Sequence, residues 1–138
     1  MPEAKTQPPE TANKKTVLVV EDDPFLSNLL KTRFERAGIN VLRAGDGEEA
    51  LKVLSATKPD LVMLDIIIPK KSGFEVLEAI RETLSLKDLP VIIVSNLGQE
   101  GDIQRGKALG AIAYFIKAQI SIDDIVSKVK GFLETGQI

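Results

Sequence analysis

The chain has 138 residues and 43% apolar content, enough for one domain with a real core. A net charge of −2 offers no basic footprint for nucleic acid and no polybasic patch for a membrane surface. Neither cysteine nor histidine occurs, which excludes disulfides, thiolate metal sites, a Ser-His-Asp triad and a phosphohistidine within this chain. No apolar run is long enough to span a bilayer and the N-terminus lacks a signal-peptide core, so a soluble cytoplasmic protein is expected.

Residues 1–15, MPEAKTQPPETANKK, are polar and Pro-rich, and a disordered tail is predicted there, ahead of one domain over 16–138. Thr16–Val20 reads as a strand. It leads to Asp23-Pro24, a helix N-cap followed by proline at the first helical position. Phe25, Leu26, Leu29, Leu30, Phe34 and Ala37 then recur at helical spacing, and Gly38 stops that helix. Ile39–Arg43 reads as a short strand. Asp46-Gly47 turns into a helix over Glu48–Ala56, broken by Lys58-Pro59-Asp60.

Leu61–Leu64 is the next strand and ends in Asp65. A helix is predicted from Gly73 to Thr83, with Phe74, Val76, Leu77 and Ile80 inward and Gly73 merely opening it; Lys70 and Lys71 read as a solvated loop. After the loop Leu84–Pro90 comes the strand Val91–Val94. The helix over Gln99–Leu109 is weaker, because Gly101 and Gly106 each cost about 1 kcal/mol relative to Ala. It should be the most mobile element. Ala111–Ile116 is the fifth strand and Ser121–Leu133 the last helix. Strands this apolar are buried on both faces, so the alternation predicts an α/β fold: a parallel sheet with helices on each side.

Four of these strands end in groups that carry chemistry. Thr16–Val20 runs into Glu21-Asp22-Asp23, Leu61–Leu64 into Asp65, Val91–Val94 into Ser95-Asn96, and Ala113–Ile116 into Lys117. A carboxylate at the end of a buried strand is costly unless it is paired, hydrogen-bonded or metal-bound. In an open parallel sheet these ends share one edge, where ligands bind. Carboxylates, a hydroxyl and an ammonium gathered there suit a metal-assisted phosphoryl acceptor.

The segments VLVVEDDP, LVMLDIIIPKKSGFEVL, VIIVSN and YFIK, in this order and in these βα settings, resemble the receiver domain of two-component response regulators of the chemotaxis type. The resemblance covers residues 14 to 136. It implies a doubly wound, flavodoxin-like five-stranded parallel sheet of strand order 2-1-3-4-5. It implies that Asp65 is the phosphoacceptor, that Glu21 and Asp22 are the acidic pair, and that the backbone carbonyl of Ile67 joins Asp22 and Asp65 in holding Mg2+ (or Mn2+). Ser95 matches the switch hydroxyl, Tyr114 the aromatic switch and Lys117 the conserved-type lysine. The implied partners are a histidine kinase or histidine phosphotransfer protein, and a downstream protein target met by the face of the fourth helix, fifth strand and fifth helix; neither nucleic acid nor membrane is expected. One departure is Lys117-Ala118 where the family has Lys-Pro with a cis peptide, since a cis bond before a non-proline residue costs about 2.5–4 kcal/mol.

Phosphoryl transfer to a carboxylate is mostly positioning and electrostatics. Magnesium takes octahedral oxygen ligands and keeps several waters, one of which Glu21 would hold. Two other readings compete. A phosphotransfer enzyme of the haloacid-dehalogenase type would need a second Asp two residues after the first, and that position is Ile67. A non-phosphorylated interaction module would not need Asp65, Ser95 and Lys117 together. The resemblance also places Ile67 and Leu97 beside the path of a hydrolytic water, which neither can hydrogen-bond, so slow loss of the phosphoryl group is expected.

Overall fold

The structure, a computed structural model, describes residues 14–138. The tail predicted over 1–15 lies outside the described residues except for Lys14 and Lys15. Strands and helices alternate: β1 (Thr16–Val20), α1 (Pro24–Arg36), β2 (Asn40–Ala44), α2 (Gly47–Ala56), β3 (Leu61–Leu64), α3 (Gly73–Glu82), β4 (Val91–Ser95), α4 (Glu100–Ala108), β5 (Ala113–Ile116) and α5 (Ile122–Thr135), with a 3-10 turn, Lys117–Gln119, before α5. All strand pairings are parallel and the sheet order is β2-β1-β3-β4-β5, as the resemblance implies.

Side chains on a strand alternate between faces, and each face of this sheet builds its own core. Val17 and Val19 of β1, Leu61 and Met63 of β3, and Ile92 and Val94 of β4 meet Leu30 and Phe34 of α1 and Ile125, Val126 and Val129 of α5. The intervening Leu18, Val20, Val62, Leu64, Val91 and Ile93 meet Ala50 and Leu54 of α2 and Phe74, Val76, Leu77 and Ile80 of α3.

The caps follow the local chemistry. Asp23 accepts the N–H groups of Phe25 and Leu26, and Ser72 and Glu75 form a capping box at α3. Gly38 and Gly136, with φ of 83° and 79°, end α1 and α5 in the left-handed region.

Some expectations shift. Phe25, at helical spacing with the other apolar residues of α1, is 77% exposed in the first turn of that helix. The fifth strand starts at Ala113 rather than Ala111, because the Ala111 N–H closes α4 by donating to Gly106 O at 3.0 Å and cannot join the ladder. The Leu84–Pro90 loop buries Leu86 and Leu89. Arg81 holds it, donating to the carbonyls of Lys87, Leu89, Leu109 and Gly110. No helix among the described residues is long and apolar enough to cross a membrane.

Candidate functional site

The strand order reverses direction between β1 and β3, since the chain first steps to β2 on one side of β1 and then to β3 on the other. The crevice at such a switch point lies outside the C-terminal strand ends. Glu21 and Asp65 follow the paired residues Val20 and Leu64, and Asp65 N–H extends the ladder to Val20 O at 3.1 Å. Lys117 arrives from β5, whose Ile116 pairs with Ser95 at the end of β4.

The structure brings Glu21, Asp22, Asp65, Ile67 and Lys117 around one open cleft, with Asp23 and Asn96 completing its lining. Lys117 Nζ lies 2.7 Å from Asp65 Oδ2 and 2.7 Å from Glu21 Oε1. Asp65 and Glu21 are 5% and 4% exposed, while Asp22 is open to solvent. The other oxygen of each buried carboxylate accepts a backbone N–H: Asp65 Oδ1 from Ile67 at 3.1 Å and Glu21 Oε2 from Asp23 at 3.0 Å. Burial pushes the Glu21 carboxyl up, by more than the Lys117 contact draws it down. Burial alone would lower the Lys117 ammonium, but hydrogen bonds to Asp65 and Glu21 outweigh it and hold the group above the usual lysine range.

Ser95 is fully buried beside the cleft; its Oγ accepts the Leu97 N–H at 3.2 Å, so its own hydrogen is free to donate elsewhere. Tyr114 packs against the core beside α4, and its hydroxyl donates to the Leu97 carbonyl. Ile67 stands at the cleft, whereas Leu97, expected there too, packs against the core instead. The Leu97 backbone is bonded on both sides, its N–H to Ser95 Oγ and its carbonyl to the Tyr114 hydroxyl.

Carboxylate oxygens of Glu21, Asp22 and Asp65 all come within 4.8 Å of one another. An all-oxygen donor set with excess negative charge fits a hard divalent cation such as Mg2+ or Mn2+. Lys117 offsets only part of that charge.

Two residues named in the sequence make contacts there that spacing did not suggest. A Cβ on Gly73 would lie 2.3 Å from the Asp65 carbonyl oxygen and 2.7 Å from Ile66 Cα, so only glycine lets α3 start against the loop that carries Asp65. Asn96 lines the cleft and accepts the Ala118 N–H. The Lys117–Ala118 peptide is trans, unlike the family's Lys-Pro. The signal for Gly73 was present, but a glycine at a helix start reads equally as a plain turn residue.

Comparison with known proteins assigns this arrangement to a class. The family model for the response regulator receiver domain matches residues 17–130, and the chain belongs to that family, whose members are signalling domains of two-component systems. Two relatives frame it. The alkaline phosphatase synthesis transcriptional regulatory protein PhoP of Bacillus subtilis is 37% identical over 126 residues, which is 91% of this chain and 51% of PhoP. The polar-differentiation response regulator DivK of Brucella anthropi is 33% identical over 119 residues, 86% of this chain and 96% of DivK. Among solved structures, the receiver domain of the Francisella response regulator 1452 superimposes with a TM-score of 0.81 at 30% identity, covering 90% of this chain and all of that one. The chain spans about half the length of the first curated relatives it matches.

Proposed function

We propose that this receiver accepts a phosphoryl group on Asp65 from a partner histidine kinase or histidine phosphotransfer protein and switches a protein-binding surface in response. The observation that carries the reading is the Lys117 ammonium, shared at 2.7 Å between Asp65 and Glu21 beside the solvent-open Asp22. In this reading one cleft supplies a nucleophile, a counter-charge and a place for a cation. Asp22, Asp65 and the Ile67 backbone carbonyl would hold magnesium or manganese, with Glu21 ordering its water. When bound, the cation neutralises charge on the phosphoryl oxygens.

The chain's own groups do the rest. A carboxylate oxygen of Asp65 attacks the phosphorus of a phosphohistidine; the new oxygen–phosphorus bond forms as the nitrogen–phosphorus bond breaks, and the imidazole leaves with the electron pair. Asp65 is held for this by the Ile67 N–H. Lys117 then pairs with a phosphoryl oxygen, and the free hydrogen of Ser95 is donated to another. Drawing Ser95 toward the phosphoryl group pulls on the Leu97 segment that Tyr114 also grips. The consequence is a population shift of α4 and Tyr114, read out on the α4–β5–α5 face.

The test is labelling with acetyl phosphate, or beryllofluoride, in magnesium. The wild type forms an aspartyl adduct and Asp65→Asn forms none. Labelling of Asp65→Asn at any site other than a neighbouring hydroxyl overturns the assignment, as does a wild type that takes up no label.

A further inference from the structure

Asn96 follows the last residue of β4 and lines the cleft with Asp65 and Lys117. Its Oδ1 accepts the Ala118 N–H at 3.1 Å, across a separation of 22 residues. The branch facing that donor must be the carbonyl oxygen, because the amide nitrogen only donates. Ala118 lies in the 3-10 turn Lys117–Gln119, whose N-cap residue Ile116 provides no side-chain acceptor. N–H groups of a first helical turn have no partner within the turn. Asn96 supplies that partner and ties the residue after Lys117 to the end of β4. Proline at 118 would have no N–H to give, so this tie is a property of the Lys117-Ala118 pair.

Lys117 is thereby held on both sides. The residue before it, Ile116, pairs with Ser95 in the ladder, and the residue after it is held by Asn96. We propose that Asn96 is a positioning residue, whose side-chain carbonyl holds the Lys117 turn so that the ammonium reaches Asp65 and Glu21 together. The phosphorylation part of the inference rests on the proposed function; the geometric part does not.

The consequence has an unusual sign. The Lys117 ammonium occupies the same carboxylates that a divalent cation needs, so the two compete. Releasing the turn frees those carboxylates and strengthens cation binding. It also removes the positive partner of the phosphoryl group and slows phosphorylation. A general loosening of the fold would weaken both.

The experiment uses the full chain, with magnesium titrations followed by backbone amide resonances and with phosphorylation by acetyl phosphate. Asn96→Ala should bind magnesium about fivefold more tightly, react about tenfold more slowly, and lose protection of the Ala118 amide against hydrogen exchange in the metal-free state. Asn96→Asp keeps the acceptor and should keep that protection. Ala118→Pro removes the donor, so adding Asn96→Ala to it should change magnesium affinity no further. Parallel weakening of magnesium binding and phosphorylation, equal loss of Ala118 protection in both Asn96 variants, or additivity in the Ala118→Pro background each overturns the proposal. A wild type that accepts no phosphoryl group defeats the proposed function alone, because the magnesium titration and the amide protection decide the role of Asn96 without it.

Discussion

Ile67 stands at the mouth of the cleft, 59% exposed, with its N–H committed to Asp65. Its side chain cannot orient a water for attack on a phosphorylated Asp65, and orientation is much of what accelerates phosphoryl transfer. Leu97 packs against the core and does not line the cleft, so any shielding would rest on Ile67. Ile67→Asn should shorten the lifetime of the phosphoprotein about tenfold, equivalent to about 1.4 kcal/mol of barrier, measured as decay of the purified adduct in magnesium; an unchanged lifetime would count against shielding. Tyr114 offers a second measurement, because it is the chain's only tyrosine and there is no tryptophan. Burial, and then the charges of Asp102 and Asp65, push its hydroxyl above the ordinary 10.0. The protonated hydroxyl therefore contributes stability that is complete below about pH 10 and is lost as pH rises through the raised value. Phenolate absorbance should titrate above the midpoint of the unfolded chain, and Tyr114→Phe should cost about 0.5–1.5 kcal/mol for the lost bond to the Leu97 carbonyl.

At the scale of elements, α4 is the thinly anchored one. It buries only Gly106, whereas α1 buries Ser27, Leu30 and Phe34. Its other ties are at the surface: Arg105 reaches Glu78 at 3.4 Å and lies 4.3 Å from the centre of the Phe74 ring. Its two glycines have opposite roles. A Cβ on Gly101 would meet nothing within 4 Å, while one on Gly106 would lie 2.7 Å from Ile93 Cδ1 and 3.0 Å from the Tyr114 ring. Gly101→Ala should stabilise the domain by about 0.4–1 kcal/mol, and Gly106→Ala should destabilise it by about 1–3 kcal/mol through overpacking, both read by denaturant unfolding. Amide exchange in α4 should outpace that in α1, with Gly101→Ala narrowing the gap. Equal protection of the two helices in the wild type would contradict this picture.

For the whole molecule, a cation held by the carboxylate cluster would couple folding to its binding. Glu21, Asp22 and Asp65 converge only when β1 and β3 are paired, so the unfolded chain has no equivalent site. A ligand that binds only the folded state stabilises it by mass action. At free magnesium about ten times Kd the gain should be about 1.4 kcal/mol, seen as a rise in melting temperature that Asp22→Ala largely abolishes. An undiminished rise in Asp22→Ala would move the cation site elsewhere.

Much of this protein was legible in the chain itself. Apolar runs of strand length between helical periods dictate a parallel sheet covered on both faces, because only that arrangement buries such strands. The groups ending the strands, Glu21, Asp22, Asp65, Ser95 and Lys117, could be read as neighbours, because parallel strands finish on one edge. What pattern could not reach were contacts between residues far apart in sequence, which depend on how closely backbones approach. Phe25 has the right spacing for a core position but is exposed. Gly73 is required by a 2.3 Å clearance that no spacing encodes. Leu97 packs against the core instead of lining the cleft, with its backbone bonded to Ser95 and Tyr114, and Asn96 meets Ala118 because two strand ends and one turn bring them together. Local pattern fixes which face a side chain takes within its own element; distances between elements are set by packing, and packing is decided only in the folded whole.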